Sequence, residues 1–263
     1  MTTPSISAAG SEILSHIEAG VMTITLNRVE KKNSFTAAMY ARLADVLDAA
    51  GHDASVRAVV IQGHETIFSA GNDIADFLNV PPNHPQAPVF RFLRAISTFA
   101  KPLLASVCGP AVGIGTTLLL HCDLVYAGDN AAFSVPFVNL GLCPEAASSF
   151  LLPQLMGNAR AAEALLLGEP FTAEIALELG LINRIVPPAE ANTLAQKQAQ
   201  KLAAKPLAAL METKRLMKKT HSGFIAERIA EEAASFGRML SEPAAREAFT
   251  AFMEKRRPDF SRV

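Results

Sequence analysis

Two glycine-rich turns and one glutamate are the parts of this chain whose types and spacing could carry out chemistry. Residues 109–117 read GPAVGIGTT, and residues 141–149, GLCPEAASS, contain Glu145. Glycines let the backbone approach a ligand closely, and the N–H groups of a helix start favour negative charge. The stretch 110–145 therefore predicts a pocket for an anion beside a carboxylate that could move a proton.

A second glycine turn, around Gly71, follows a different predicted strand. Residues 56–62 form an apolar run that leads into it, as the uncharged run 102–108 leads into the first turn. Two turns that follow buried strands could bring their N–H groups to one end of a sheet, where they would form an oxyanion hole. Ordinary tight turns are the alternative interpretation, because glycine patterns of this kind are common.

Composition limits the classes of protein to consider. With 263 residues, 50% of them hydrophobic, the chain can bury a full core, and we expect one main domain with an appendage. The 24 Lys and Arg nearly balance the 25 Asp and Glu, so neither nucleic acid nor an anionic membrane surface is predicted as a partner. Cys108, Cys122 and Cys143 fit neither a disulfide framework nor a zinc site and favour a reducing compartment.

Targeting and membrane segments are not predicted. Residues 1–10 lack the basic start and apolar run of a secretory signal and are expected to form a short loose arm. Residues 102–122 carry no Asp, Glu, Lys or Arg and are long enough to span a membrane, but glycines and prolines interrupt them. A buried strand, a turn and a buried helix explain the same apolarity.

Hydrophobic periodicity predicts alternating strands and helices first, and mainly helices afterwards. The first half reads as a hairpin with one buried face (12–17 and 21–27), a helix stopped by Gly51 (36–50), a strand (56–62), a proline-rich surface loop (78–88) and a helix (89–100). Next come strands 102–108, 123–127 and 132–135 around helix 114–121, then helices 148–156, 159–167 and 172–179, strand 181–186, and helices 188–204, 206–219, 224–240 and 243–255.

This alternation predicts an α/β core of stacked or spiralling units, although no convincing internal repeat is visible. The last helices carry wide apolar stripes, which exceed what one partner helix covers and predict self-association. The stripe of helix 224–240 is the example: Phe224, Ile225, Ile229, Ala233 and Phe236.

Several motifs, in this order along nearly the whole chain, resemble the crotonase (enoyl-CoA hydratase/isomerase) superfamily. They are FSAGNDI at 68–74, PAVGIG at 110–115, CDLVYA at 122–127, AFSVP at 132–136, GEPFTA at 168–173 and GLINRIV at 180–186. The resemblance implies a crotonase-like spiral core of repeated ββα units in residues 1–205. It also implies a helical C-terminal trimerisation segment, 206–263, and hence a homotrimer or dimer of trimers. An acyl-CoA thioester is the implied substrate, without a separate cofactor, because CoA is part of the substrate.

The same resemblance assigns roles to individual residues. The backbone N–H groups of Asn72 and Ile114 would hold the thioester oxygen while it gains charge as an enolate. Residues expected to bind substrate are those around the two turns, with two cations for the CoA phosphates: Ser69, Ala70, Gly71, Asp73, Ile74, Gly113, Phe137, Arg28 and Lys31. Phe252 and Lys255 are further candidates near the adenine, and a solvated basic surface is the alternative for the cations.

The acid/base residue decides which reaction is expected. Hydratases of this superfamily carry two glutamates, whose positions fall here on Thr117 and Phe137, and neither side chain can transfer the required proton. Glu145 lies in a segment resembling the peroxisomal-type 3,2-enoyl-CoA isomerases, whose equivalent glutamate is the base. Apolar neighbours would raise its pKa if it is buried: Phe137, Leu142, Phe150 and Leu151. Without the resemblance, Glu145 would be interpreted as a solvent-facing carboxylate at a helix start.

The predicted function is therefore 3,2-enoyl-CoA isomerisation by a one-glutamate proton shuttle. Hydration, thioester hydrolysis or a catalytically silent acyl-CoA-binding protein remain alternatives. The other acids and the histidine are expected to be structural: Asp73 as a cap, Asp123 as an anchor of a strand start and His121 as a core histidine. No metal site is predicted, and a cytoplasmic location is the default, since the C-terminus is not a peroxisomal address.

Overall fold

The computed structural model describes residues 11–79, 84 and 86–263. Its strands are β1 (Ile13–Glu18), β2 (Val21–Leu26), β3 (Ala58–Gln62), β4 (Leu103–Val107), β5 (Pro110–Val112), β6 (Leu124–Gly128), β7 (Ala132–Ser134), β8 (Phe171–Thr172) and β9 (Arg184–Val186). Its α-helices are α1 (Ala37–His52), α2 (Ile74–Asn79), α3 (Pro88–Thr98), α4 (Ile114–Thr117), α5 (Ser148–Met156), α6 (Asn158–Ala162), α7 (Ala173–Glu178), α8 (Pro188–Ala203), α9 (Leu207–Lys218), α10 (Ser222–Met239) and α11 (Pro243–Met253). The predicted arm 1–10 lies outside the described residues.

A large sheet forms the centre of the fold, with strand order β1-β2-β3-β4-β6-β9. β1 and β2 are an antiparallel hairpin, as predicted, and every later neighbour pairs in parallel. The prediction of a single buried face for the hairpin is wrong for β2, because both of its faces are covered. Ile24 packs in the core cluster with α1, whereas Val21 packs against alanines of α8.

A second, shorter ladder gives the chain its spiral form. After β2 the chain passes Phe35, which bridges Asn72 in the following turn, and Ser69 of that turn bridges Ala111 in the next. β5 then pairs in parallel with β7. Each turn therefore contributes one strand to the large sheet, one segment to the short ladder and then a helix. This arrangement confirms the predicted α/β spiral of ββα units.

Several boundaries differ from the predictions for local physical reasons. Gly51 lies inside α1, which ends at His52, so this exposed glycine does not stop the helix. The predicted strand 181–186 is shorter in the structure, where it is β9. The predicted helix 159–167 consists of α6 followed by a π-helical segment at Glu163–Leu167. The sequence does not predict β5 and β8, because strands of two or three residues are too short to show an alternation of apolar and polar side chains. Of the predicted loop 78–88, residues 80–83 and 85 lie outside the described residues.

The C-terminal helices pack back onto the core. Ile225 and Ile229 of α10 belong to the main core cluster, and Phe236 is buried in a second cluster. These side chains are used within the chain, so they do not support self-association as predicted, whereas Phe224 is 61% exposed. The division at residue 206 stays a prediction. Among the described residues, no helix is long and apolar enough to cross a membrane.

Candidate active site

The N–H groups of Asn72 and Ile114 are both free to bind a ligand. Phe35 N–H donates to the Gly71 carbonyl at 2.8 Å and Asp73 N–H donates to the Phe35 carbonyl at 2.9 Å, so the intervening Asn72 N–H faces away from this pairing. Ile114 begins α4, where the first N–H groups have no partner within the helix. Neither N–H donates to an acceptor in the described part of the chain.

Close backbone packing brings these two donors to the same place. Gly71 has φ +88°, and a Cβ there would lie 3.0 Å from the Val112 carbonyl oxygen. A Cβ on Gly115 would lie 3.1 Å from Ser69 Cβ. Because contacts this short leave no space for a side chain, the glycines allow the two turns to meet. The donors line one cavity of about 200 Å³, which we call the donor cavity.

Most of the residues predicted to bind substrate line the donor cavity. Five of the nine do so, and Phe252 does as well. The lining comprises Ala70, Gly71, Asn72, Ile74, Phe77, Val112, Gly113, Ile114, Pro136, Phe137, Asn139, Leu140, Leu142, Phe236, Phe249 and Phe252. Apart from the two turns, it is formed mainly by apolar side chains of α2, α10, α11 and residues 136–142. Such a cavity, with a few convergent polar groups, has the character of a small-molecule site.

Ser69 and Asp73 support the turn around Gly71 and do not line the donor cavity, so this lining does not support their prediction as substrate contacts. Ser69 is fully buried; its hydroxyl donates to the Asn33 carbonyl at 2.9 Å and accepts from Gly71 N–H at 3.1 Å. Asp73 accepts from Asp76 N–H at 3.1 Å, so it caps α2, as the sequence also suggested. Both side chains therefore hold the backbone that presents Asn72.

Arg28 is used inside the protein, so its contacts do not support its prediction as a phosphate ligand. Its guanidinium lies 2.7 Å from Glu12 Oε1 and 2.8 Å from Asp73 Oδ2. Side-chain hydrogen bonding and charge from Arg28 contribute to a lowered pKa of the Asp73 carboxyl, although burial opposes this shift. Lys31 is exposed and does not line the donor cavity, but the neighbouring Lys32 carbonyl accepts from Ala70 N–H at 2.9 Å. Lys31 is thus the predicted cation that remains available beside this turn.

Glu145 lies in a small apolar space beside the donor cavity, which we call the glutamate chamber. The two spaces share Asn72, Phe77 and Phe236, so the glutamate and the first N–H donor face a common region. The chamber is lined by Asn72, Phe77, Val89, Phe90, Leu93, Glu145, Ala146, Ile229, Glu232, Ala233, Phe236 and Gly237. Of the four apolar neighbours predicted for Glu145, none is in this lining; the apolar walls come from α2, α3 and α10.

The buried position of Glu145 favours its protonated form. The residue is 8% exposed, and burial raises the pKa of its carboxyl from 4.5 to about 7. Thr117, one of the two positions where hydratases carry a glutamate, donates its hydroxyl to Glu145 Oε1 at 2.9 Å, which opposes the rise in pKa. A carboxyl with a pKa near neutrality can both accept and release a proton at physiological pH.

Two side chains of this chamber region were missed by sequence reasoning. The Tyr40 hydroxyl, on α1, donates to Asn72 Oδ1 at 2.5 Å, and burial raises the pKa of Tyr40 well above its ordinary value, with the Glu145 charge adding to the rise. Glu232, on α10, is 6% exposed and lies near Glu145. The available signal for Glu232 was its place in the apolar stripe of Ile229 and Phe236; Tyr40 gave none.

His121 is a core histidine, as predicted. Its Nε2 lies 2.9 Å from the Ala146 carbonyl oxygen, and burial lowers its pKa to about 4, so the ring is neutral at physiological pH. Among residues 11–79, 84 and 86–263, no group of His, Cys, Asp and Glu side chains could hold a metal ion. The site thus consists of two N–H donors, two buried carboxyls, Glu145 and Glu232, and apolar walls.

Comparisons with known proteins identify a family. A family model described as enoyl-CoA hydratase/isomerase matches residues 16–262. The chain is 37% identical to the 1,2-epoxyphenylacetyl-CoA isomerase of Escherichia coli, over 95% of this chain and 98% of that protein. It is 38% identical to enoyl-CoA delta isomerase 2 of Rattus norvegicus, over 79% of this chain and 54% of that longer protein.

A solved structure extends the agreement to the fold. The enoyl-CoA hydratase/isomerase of Pseudoalteromonas atlantica superimposes with a TM-score of 0.92 at 37% identity, covering 95% of this chain and 100% of that one. The chain therefore belongs to the enoyl-CoA hydratase/isomerase family, with a crotonase-type fold, and it is an acyl-CoA enzyme of the hydratase/isomerase type.

Proposed function

We propose that this member of the enoyl-CoA hydratase/isomerase family is a 3,2-enoyl-CoA isomerase, which moves a double bond from C3–C4 to C2–C3 of an acyl-CoA. The observation that carries the proposal is the single available carboxyl at the site. Glu145 is buried beside the donor cavity and has a pKa of about 7. The two positions at which hydratases carry glutamates hold Thr117, which bonds to Glu145, and Phe137, which lines the donor cavity.

The proposed reaction needs one base and no water. The Glu145 carboxylate removes a proton from C2 of the 3-enoyl thioester, and the electron pair moves into a dienolate whose oxygen carries the charge. The N–H groups of Asn72 and Ile114 donate to that oxygen, and such donors each contribute about 10²–10³-fold in rate. Protonated Glu145 then returns the proton at C4, which leaves the double bond at C2–C3 and regenerates the carboxylate.

Glu232, the other carboxylate of the chamber, is not free for this transfer. Its Oε2 accepts from Ala147 N–H at 2.6 Å and its Oε1 accepts from Ser149 N–H at 3.0 Å. Because a backbone donor holds each oxygen, Glu232 is fixed on the turn, and the two glutamate positions of hydratases hold Thr117 and Phe137 instead, so a hydratase-type arrangement is not supported. The geometry thus favours isomerisation over hydration.

Substrate recognition and assembly extend the proposal. We assign Lys31 to the CoA phosphates, since it is exposed beside the turn around Gly71. We leave out Arg28 because two carboxylates pair with it. Phe77 and Phe90 line the chamber and are expected to influence the accepted acyl length. Exposed apolar side chains of α9 and α10, including Met217 at 77% and Phe224 at 61%, support the proposed trimer.

The decisive experiment follows conversion of a 3-enoyl-CoA to its 2-enoyl isomer by the purified protein. Glu145→Gln is expected to reduce kcat by about 10³-fold, because general base catalysis contributes 10²–10⁴-fold. Glu169→Gln, a change of an exposed glutamate, is the matched control and should retain wild-type kcat. Unimpaired turnover by Glu145→Gln would remove the proton-shuttle assignment.

Three further assays separate the alternatives. The relationship to an isomerase of 1,2-epoxyphenylacetyl-CoA makes that compound a second candidate substrate, and faster turnover of it than of any 3-enoyl-CoA would redefine the substrate class. Hydration of a 2-enoyl-CoA at a comparable rate would instead favour a hydratase. CoA-ester binding in calorimetry without turnover of any of these compounds would indicate a silent binding protein.

A further inference from the structure

The turn that follows Glu145 has an unusual backbone. Ala146 and Ala147 have φ +59° and +57°, in the left-handed region that side chains with a Cβ disfavour by about 1–2 kcal/mol per residue. Both alanines are almost fully buried. A turn of this kind directs successive backbone N–H groups to one side and forms a concave site for an anion. Something in the surrounding structure must therefore hold it.

Glu232 occupies that concave site. Its two carboxylate oxygens accept from Ala147 N–H at 2.6 Å and from Ser149 N–H at 3.0 Å, on either side of Ser148. A carboxylate can accept at both oxygens, whereas the amide of a glutamine has only one acceptor oxygen and would present a donor to the second N–H. This clamp of Glu232 on Ala147 and Ser149 thus needs a carboxyl at this position of α10. Burial raises the pKa of Glu232, whereas its hydrogen bonds to the turn and the Arg228 charge favour the ionised form.

Two more contacts hold the turn from other sides. His121 Nε2 contacts the Ala146 carbonyl at 2.9 Å, and the Ser148 hydroxyl donates to the Glu145 carbonyl at 2.6 Å. Neither contact supplies an acceptor for the N–H groups of Ala147 and Ser149. Glu232 is the only side chain among the described residues that accepts from both.

We propose that Glu232 is a positioning residue for Glu145: from α10 it fixes the turn 146–149 that aims the Glu145 carboxyl into the chamber, and it faces that carboxyl as a like charge. The inference rests on the proposed function of Glu145 as the proton shuttle. It gives α10 a role in positioning the base, because the clamp reaches from α10 to the segment that carries Glu145.

The charges around the pair are few. Glu145 faces Glu232 from α10, Tyr40 from α1 and the Cys143 thiol from its own segment, and the Glu232 charge adds to the raised pKa of Glu145. Arg228, one turn before Glu232, donates to the Ser149 hydroxyl at 3.3 Å and pairs with Glu231 at 3.1 Å. His121, below the turn, is neutral because of its low pKa. Removing the Glu232 charge should therefore lower the pKa of Glu145.

The test measures kcat, KM and the pH profile of kcat/KM for Glu232→Gln. We expect kcat to fall by about 10- to 100-fold, as for a misplaced catalytic group, with KM nearly unchanged. The acidic limb of the profile should move to lower pH. Glu232→Asp keeps the charge and should leave the limb in place while kcat falls. Glu231→Gln, its exposed neighbour on α10, is the matched control and should change neither.

A second measurement does not depend on any substrate. The Glu145 carboxyl can be titrated by carbon-13 NMR and identified by its loss in Glu145→Gln. A lower pKa in Glu232→Gln than in the wild type supports the proposal, and an unchanged pKa overturns it. If Glu232→Gln does not fold, undiminished kcat in Glu232→Asp overturns the positioning role instead. A wild-type protein without isomerase turnover would contradict the proposed function, and the NMR comparison would still decide the role of Glu232.

Discussion

Two groups of ionisable side chains in this protein differ in how their charges are compensated: one lies around the partly buried Asp123, and the other lies in the buried glutamate chamber. Around Asp123, the carboxylate meets Lys214 Nζ at 2.6 Å and Lys218 Nζ at 3.6 Å and accepts from Leu103 N–H at 2.8 Å. In the glutamate chamber, Glu145 has a hydrogen bond from Thr117 and a second carboxylate nearby, and no cation among the described residues contacts it. The first group joins α9 to the sheet, and the second contains the proposed base.

The difference shows how one fold separates structural charges from reactive ones. A buried charge with a partner is compensated, so it contributes to holding elements together and removing its partner is costly. A buried carboxyl without a cation is uncompensated, and it responds by raising its pKa and taking up a proton. Reactivity in the chamber thus follows from the absence of the partner that the Asp123 group has. Each of the following predictions alters one side of this contrast.

The largest effect on stability is expected at the paired group. Lys214→Met leaves Asp123 with the more distant Lys218 and should lower the free energy of unfolding by about 3 kcal/mol. This value is the low end of the 3–5 kcal/mol for removing one partner of a buried pair, because the Asp123 side chain is partly exposed. Chemical denaturation measures this change. Arg215→Met breaks an exposed pair on the same helix and should leave the free energy of unfolding nearly unchanged. Equal effects of the two changes would remove the distinction between the paired groups.

At Glu145, which has no cation partner, chemical denaturation should show the opposite effect: a substitution that removes the carboxyl should raise the free energy of unfolding. The pKa of Glu145 is about 7 in the folded protein and 4.5 in the reference state, so the folded protein retains a proton that the unfolded chain releases between these pH values. Wild-type stability is thus lost as pH rises through this window, by about 3 kcal/mol from Glu145 alone. Glu145→Gln should be more stable than the wild type at pH 8, and the advantage should shrink towards pH 4.5.

The difference in unfolding free energy between the wild type and Glu145→Gln separates the contribution of Glu145 from that of His121. His121 has a lowered pKa of about 4 and acts in the other direction, because its stabilisation is present above 6.5 and is lost as pH falls towards 4. This term is the same in the wild type and in Glu145→Gln, so it cancels in the difference between them. A difference in unfolding free energy that does not vary between pH 4.5 and pH 8 would contradict the raised pKa of Glu145.

The smallest effect is expected from the hydrogen bond to Glu145. Thr117→Val removes the hydroxyl that favours the ionised form, so the pKa of Glu145 should rise and the acidic limb of kcat/KM should move to higher pH. Thr117→Ser keeps the hydroxyl and should leave the limb in place. The direction is opposite to that expected for Glu232→Gln. A limb that moves the same way in both variants would show that these neighbours act through packing alone.

Much of the fold could be predicted because its elements leave local signals. Apolar runs bounded by glycine or proline indicate β3, β4 and α5, and the predicted bounds of α5 match the structure. The short ladder could not be seen in the same way, since its strands have two or three residues and depend on pairing with distant turns. Helix ends are a second feature that the sequence does not define closely: α1 extends one residue beyond Gly51, to His52.

The site residues also fall into those that local motifs predict and those that only tertiary packing brings together. Asn72, Ile114 and Glu145 lie in recognisable motifs, and the structure places all three around two adjoining spaces. Glu232 and Tyr40 come from α10 and α1, far along the chain from Glu145, and tertiary packing alone brings them to the chamber. The contacts of Arg28 could not be predicted for a related reason, because its partners Glu12 and Asp73 are neighbours in space rather than in sequence.

The role of Glu145 as the catalytic base is tested most directly by the pH dependence of kcat/KM for a 3-enoyl-CoA, since this ratio reports the pKa of the essential base in the free enzyme. If Glu145 is that base, kcat/KM should increase with pH through an acidic limb at about 7 and then level off. A profile that is flat from pH 5 to pH 8, or a limb near the ordinary glutamate value of 4.5, would contradict the account.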